Sequence, residues 1–326
     1  MPLRVVSPSH IWREELRPLL DAGIEYVAVD PDDDIAVAGA VGDANILITT
    51  TFDVAMAARA KKLRLLLCPS AGTEGIDRRL LPAGVAVRNG EGHEIPMAEY
   101  VIGMLVALRQ RAFHGDKALR QGRWEYGFLG PGGFVGELWG SRLGLVGFGR
   151  IGKAIVPRAT AFGMTTVALT MHPENVAHTF PGLESVGDLK APAAVDALCS
   201  GCDAIVLCCE LSDVSRGLLD ARRLKLMPGH ALLVNISRGP VADEQALYEA
   251  LRDRTIAGAA LDVWYDYPEE RGKPTPPSRF PFGELDNVIM TPHSSGWTEG
   301  HRQRKLARMA DAINVFARTG AAAPSR

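Results

Sequence analysis

The chain has 326 residues, enough for two hydrophobic cores, and its 36 basic and 38 acidic side chains give a formal net charge of −2. Without a cationic field it is not expected to bind nucleic acid, and its longest apolar run, within YVIGMLVAL (100–108), is too short to cross a bilayer. The opening MPLRVVSPSH lacks the apolar centre of a secretory leader, and five cysteines suit reduced thiols, so a cytoplasmic location is expected.

In chain order, LRVVSP (3–8) reads as a strand and IWREELRPLLDAG (11–23) as a helix stopped by glycine. ANILITT (44–50), LRLLLCPS (63–70) and VAVRN (85–89) read as further strands, with a helix over FDVAMAARAKK (52–62). That alternation predicts an open parallel sheet. A long helix is predicted over 97–123, broken near Gly115, followed by a glycine-rich loop over 125–141.

A second α/β unit then begins. RLGLVGF is a strand, GRIGKAIVPRATAFG a helix and MTTVALTM (164–171) the next strand. DAIVLCCE, HALLVNIS (230–237), IAGAALDVW (256–264) and NVIMTPH (287–293) continue the pattern, and a last helix spans 299–319. Cys199 and Cys202 have zinc-ligand spacing, but no second Cys/His pair with matching spacing follows at a plausible distance. The apolar DAIVLCC suits a buried strand in which cysteine is a small hydrophobe, so no metal is expected.

Gly147, Gly149 and Gly152 form G-x-G-x-x-G between a strand and a helix, with Arg150 and Ile151 between the glycines. The first glycine permits a tight turn, the second lets backbone amides approach a pyrophosphate, and the third allows close packing of a helix whose N-terminus favours the anion. A dinucleotide site is the expectation. At the end of the next strand an acidic residue would bind a ribose 2′-hydroxyl, but the chain offers Thr170, Met171 and His172. Glu174 reads as a solvated loop residue. Both NAD and NADP stay open; with no dedicated cation for a 2′-phosphate, NAD is slightly favoured.

Arg238 in NISRGPVADEQAL and His293 in TPHSSGWTEG each follow a predicted parallel strand, where ligands of open α/β sheets bind. An isolated arginine before a helix is ordinarily a surface residue, and an isolated histidine ordinarily structural. Together at two strand ends they offer a guanidinium fork for a carboxylate or carbonyl oxygen and an imidazole that titrates near neutrality.

With GLVGFGRIGKA, NISRGPVADEQAL, GAALDVW and LDNVIMTPH in this order, the chain resembles the D-2-hydroxyacid dehydrogenases over nearly its whole length. SAGTEGID (70–77) and MAEY (97–100) look like that family's substrate-domain motifs. The resemblance implies two Rossmann-like α/β domains with parallel sheets. A dinucleotide-binding domain, 101–293, would be inserted into a flavodoxin-like substrate domain formed by 1–100 and 294–326. It further implies interconversion of a small 2-oxo acid and its D-2-hydroxy acid with NAD or NADP, commonly by a homodimer. Arg238 would hold the substrate and His293 would be the acid/base. Amides around Ala71, Gly72 and Thr73 would bind the substrate carboxylate, and Asp262 would meet the nicotinamide, although Asp262 also suits a loop anchor.

One departure stands out. The family's D-V-F-x-x-E-P becomes DVWYDYP (262–268), placing Tyr267 in the slot of the glutamate that pairs with the histidine. A shifted loop would instead offer Asp266, Glu269 or Glu270. A tyrosine can orient the ring but adds no negative charge, so His293 is expected to titrate lower than with a carboxylate partner. HSSGWT replaces the commoner HIGG, so Trp297 is expected to shape the pocket, and His93 in NGEGHEIP is a further cleft candidate. The alternatives to a hydroxyacid dehydrogenase are a non-catalytic nucleotide-sensing partner protein, or a dehydrogenase of formate or phosphite.

Overall fold

The computed structural model describes residues 2–9, 11, 14–70, 72–176, 180–270 and 272–321. In chain order the first elements are β1 (Leu3–Pro8), β2 (Ile24–Val29), α1 (Asp34–Asp43), β3 (Ile46–Ile48), α2 (Val54–Arg59), β4 (Leu65–Cys68) and β5 (Ala86–Asn89). Next come α3 (Glu94–Arg109), α4 (Ala112–Leu119), β6 (Arg142–Val146), α5 (Arg150–Ala161), β7 (Thr165–Thr170) and β8 (Leu183–Asp188). The chain continues through α6 (Pro192–Gly201), β9 (Ala204–Leu207), α7 (Ala221–Leu226), β10 (Leu232–Asn235) and α8 (Glu244–Arg252). It ends with β11 (Gly258–Leu261), β12 (Val288–Met290) and α9 (Glu299–Thr319). No helix among the described residues is long and apolar enough to cross a membrane.

Two compact units result: Met1–His93 with Thr298–Arg326, and Glu94–Trp297. The first is a five-stranded parallel sheet in the order β2-β1-β3-β4-β5, the flavodoxin-like winding. Alternate side chains of its strands bury on opposite faces. Val5, Ile46, Ile48, Leu65 and Leu67 meet Leu306, Met309, Ile313 and Phe316 of α9, while Val6, Leu47 and Leu66 meet Ala40, Val41 and Leu63. The last helix therefore closes one face of the sheet built by the first ninety residues. Each fully buried side chain of the size of Ile313 stabilises that closure by roughly 1.5–3 kcal/mol.

The second unit is a seven-stranded parallel sheet, β12-β11-β10-β9-β6-β7-β8, doubly wound in the Rossmann manner with one added strand. Strands β9 and β11 are buried throughout, which is why AIVL and GAAL are continuous apolar runs. Leu143, Leu145, Val206 and Val234 face α3 and α5, and Ile205, Leu207, Leu233 and Leu261 face the side covered by α6, α7 and α8.

Several sequence expectations are corrected. The helix predicted over 11–23 is reduced among the described residues to a 3-10 turn, Arg17–Leu19, because Pro18 has no amide to continue a longer helix and sits at its first turn. The break in the long helix falls at Gln110–Arg111, where Arg111 adopts φ 50°, and Gly115 lies inside α4. The unit junctions fall at 93/94 and 297/298, not at 100/101 and 293/294, because α3 is one continuous helix whose Met97, Val101 and Leu105 pack on the second sheet.

Candidate active site

Strand β6 delivers the glycine motif to the carboxyl edge of its sheet. Gly147 has φ 110°, and a Cβ there would meet the Cys209 amide nitrogen at 2.7 Å. A Cβ on Gly152 would meet the Gly147 carbonyl oxygen at 2.7 Å, so this glycine lets α5 close onto the turn. Gly149 differs: no protein atom lies within 4 Å of its would-be Cβ. It is also the N-cap of α5 and offers no side chain to cap it, and the open space at its Cβ position leaves room for a pyrophosphate at the helix N-terminus. Arg150 opens the helix and Ile151 packs against the core. The motif thus fits the dinucleotide it implies.

At the end of β7, Thr170 is followed by His172, whose Nδ1 lies 3.1 Å from the Glu174 carboxylate. The Glu174 side chain is 63% exposed, as expected of a solvated residue, and also carries this pairing. Hydrogen bonds from its own backbone and from His172 hold its pKa below the usual carboxylate range.

Three neighbouring strand ends carry the remaining groups. Arg238 follows β10, where its Nη1 donates to the Ser237 carbonyl at 2.7 Å. Buried Asn235 braces that turn, accepting from the Ser237 amide at 3.1 Å and donating to the Arg238 carbonyl at 3.1 Å. Asp262 follows β11 and is fully buried. Its carboxylate accepts from Thr291 Oγ1 at 2.6 Å, the Ser294 amide at 2.8 Å and the Ser295 amide at 2.9 Å. These bonds bracket His293, whose φ of 56° is left-handed backbone that a non-glycine residue adopts only when its surroundings impose it. The geometry of Asp262 is that of an anchor for the histidine segment.

Two supports had no clear sequence signal. Trp264 Nε1 donates to the Thr291 carbonyl at 2.8 Å, and the Tyr100 hydroxyl lies 2.7 Å from Thr291 Oγ1. Burial pushes the Tyr100 phenol up to about 12, so it serves that bond as a neutral hydroxyl. Thr291, two residues before a candidate histidine at a strand end, is the only hint the sequence carried.

Tyr267 stands 3.0 Å from His293 Nδ1 and also accepts the Trp264 amide at 3.1 Å. Asp266, Glu269 and Glu270 make no hydrogen bond to the ring; Glu270 pairs instead with Lys273 at 3.9 Å. Desolvation lowers the His293 pKa from its usual value; Asp262 opposes the shift and the Arg238 charge adds to it.

In the first unit, the SAGTEGID loop is tied to the strand ends by the Phe52 amide donating to the Gly75 carbonyl at 2.8 Å. The Gly72 carbonyl lies 3.5 Å from Cys68 Sγ, and the Thr73 carbonyl accepts from the Ile76 amide at 3.0 Å. Ala71 lies outside the described residues. His93 is buried in this unit, its ring edge-on to that of His301 at 5.8 Å. Trp297 is 66% exposed. Among the described residues no three metal-ligating side chains gather, and the thiols of Cys199 and Cys202 are buried and free.

The family model for the NAD-binding domain of D-isomer-specific 2-hydroxyacid dehydrogenases matches residues 102–295. The chain belongs to that family, whose members are NAD(P)-dependent dehydrogenases acting on CH–OH groups. It is similar to a glyoxylate reductase from Korarchaeum cryptofilum, 30% identical over 94% of this chain and 86% of that protein. A D-3-phosphoglycerate dehydrogenase from Methanocaldococcus jannaschii is 35% identical over 74% of this chain, which spans only 43% of that longer protein. Among solved structures, an NADPH-dependent glyoxylate/hydroxypyruvate reductase from Sinorhizobium meliloti superposes with a TM-score of 0.78 at 25% identity, covering 99% of this chain and 96% of that one.

Proposed function

We propose that this protein interconverts a short 2-oxo acid, of the size of glyoxylate or hydroxypyruvate, and the corresponding D-2-hydroxy acid. The observation that carries the reading is the placement of Arg238, Asp262 and His293 at the ends of three adjacent strands, with the Arg238 charge felt at the His293 ring. The names of the relatives support the substrate size.

When bound, the nicotinamide supplies or takes up the hydride at C2 of the substrate. Arg238 holds the carboxylate and stabilises negative charge growing on the carbonyl oxygen. His293, as imidazolium, gives its Nε2 proton to that oxygen, so the carbonyl gains one hydride at carbon and one proton at oxygen. In oxidation the neutral ring takes the proton back. Asp262 keeps the ring in place through the 291–295 segment. Gly72 and Thr73 are the proposed amide donors to the substrate carboxylate.

Gly147, Gly149, Arg150, Ile151 and Gly152 are the proposed dinucleotide-binding residues, with Thr170 and His172 at the adenosine ribose. The Glu174 carboxylate beside His172 opposes a 2′-phosphate and keeps the preference on NAD. A homodimer is supported by the run Trp124, Phe128, Leu129, Phe134 and Trp139, all exposed in the single chain. Sedimentation at micromolar concentration tests it; a monomer would refute it. A cytoplasmic location agrees with five free cysteines.

The functional test is oxidation of NADH and NADPH by glyoxylate and by hydroxypyruvate, with reduction of NAD and NADP by formate and by phosphite as controls. Turnover of 2-oxo acids lost in His293→Ala supports the proposal. Turnover of formate or phosphite alone, or tight nucleotide binding without any turnover, overturns it.

A further inference from the structure

The Tyr267 hydroxyl has one proton and two lone pairs. The Trp264 amide donates to it at 3.1 Å and takes up one lone pair. What remains for His293 Nδ1, 3.0 Å away, is one proton and one lone pair. We propose that Tyr267 is a positioning residue that donates to Nδ1 of the neutral ring and accepts from Nδ1 of the imidazolium, holding Nε2 in one direction in both states. The proposal rests on His293 being the acid/base.

A carboxylate in this position would only accept. It would hold the neutral ring with its proton on Nδ1 and would favour the charged ring. The phenol does neither. Desolvation raises its pKa above the usual tyrosine value, so it stays neutral wherever a histidine titrates. The charged groups facing the ring are then Arg238, after β10, and Asp262, after β11, and these oppose each other. Asp262 is committed to Thr291, Ser294 and Ser295 and makes no hydrogen bond to the ring itself. With Nδ1 accepting from Tyr267, the proton of the neutral ring sits on Nε2. Taking a proton from a hydroxy acid then requires the ring to move its proton to Nδ1 and the hydroxyl to turn. Giving a proton from the imidazolium requires no such change beforehand. The charged ring is thus set for reduction of the 2-oxo acid, whereas the neutral ring must first shift its proton to serve oxidation.

The test is the 15N spectrum of histidine-labelled protein, with the His293 signals identified by their loss in His293→Asn. Above its pKa, His293 in the unsubstituted protein is expected to carry its proton on Nε2, with Nδ1 shifted by an incoming hydrogen bond. In Tyr267→Phe, Nδ1 moves to the position of an unbonded nitrogen, and kcat for reduction falls roughly 10-fold with KM nearly unchanged. In Tyr267→Glu the proton moves to Nδ1 and the His293 pKa rises by at least about one unit. An Nδ1-protonated ring in the unsubstituted protein, or spectra that neither variant alters, would overturn the proposal. The spectra need no substrate, so a protein that turns over no 2-oxo acid would refute the functional reading while leaving this test intact.

Discussion

The Asp262 carboxylate and the Ser294 amide, 2.8 Å apart, hold the left-handed backbone of His293 in place, because Thr291 before it and Ser294 after it are bonded to one buried acid. Asp262→Ala removes three acceptor contacts at once and leaves the Ser294 and Ser295 amides unpaired. A loss of about 2–4 kcal/mol in unfolding free energy is expected, with at least roughly 100-fold lower kcat. Asp262→Asn is expected to recover little, because its amide nitrogen would oppose one of three donors. Urea unfolding and steady-state rates check both; wild-type rates in Asp262→Ala would refute the anchoring role.

The pH dependence follows from the sign of the His293 shift. Its pKa lies below the usual histidine value, so the imidazolium is depleted before neutrality as pH rises. The kcat/KM for reduction is expected to fall steeply above an acidic break, while that for oxidation rises to a plateau at neutral and alkaline pH. An alkaline plateau in the reductive direction would contradict this.

Gly149 and Gly152 separate binding from folding. Gly152→Ala drives a methyl against the Gly147 carbonyl and is expected to cost about 1–3 kcal/mol of stability. Gly149→Ala meets no protein atom, so its melting temperature should hold while nucleotide affinity falls roughly 10-fold or more. Thermal melts with and without NADH distinguish the two; equal destabilisation by both would contradict the assignment.

The buried thiols give a test of the second sheet's packing. Burial pushes Cys199 and Cys209 up to about 11 and Cys202 up to about 12, and raises Cys208 further. Only the thiolate reacts readily, so these four should resist a thiol reagent at pH 8 until the protein is denatured. Rapid modification of the folded protein would contradict the packing described.

Much of this was legible in the sequence wherever periodicity and chemistry agreed. Helix α9 matches its predicted span, and the glycine motif lies between its strand and helix. Strand β2 is hidden in the sequence because IEYVAV follows a segment whose helical spacing masks the turn that Pro18 imposes. The sequence points to the glycine for the break before α4, since nothing local marks Arg111 for positive φ; tertiary packing decides it. At the site, residue types and strand ends pointed to Arg238 and His293. The bonds of Trp264 and Tyr100 to Thr291 join positions far apart in the chain, and no spacing rule reports them.

The most direct test of the central claim is a single-turnover measurement of nicotinamide oxidation with glyoxylate and with hydroxypyruvate, comparing the unsubstituted protein with His293→Ala and Arg238→Ala. Hydride transfer to at least one acid is expected, slowed about 10²–10⁴-fold without the histidine and accompanied by a large rise in KM without the arginine. Unchanged transfer in His293→Ala, or none in the unsubstituted protein despite bound nucleotide, would contradict it.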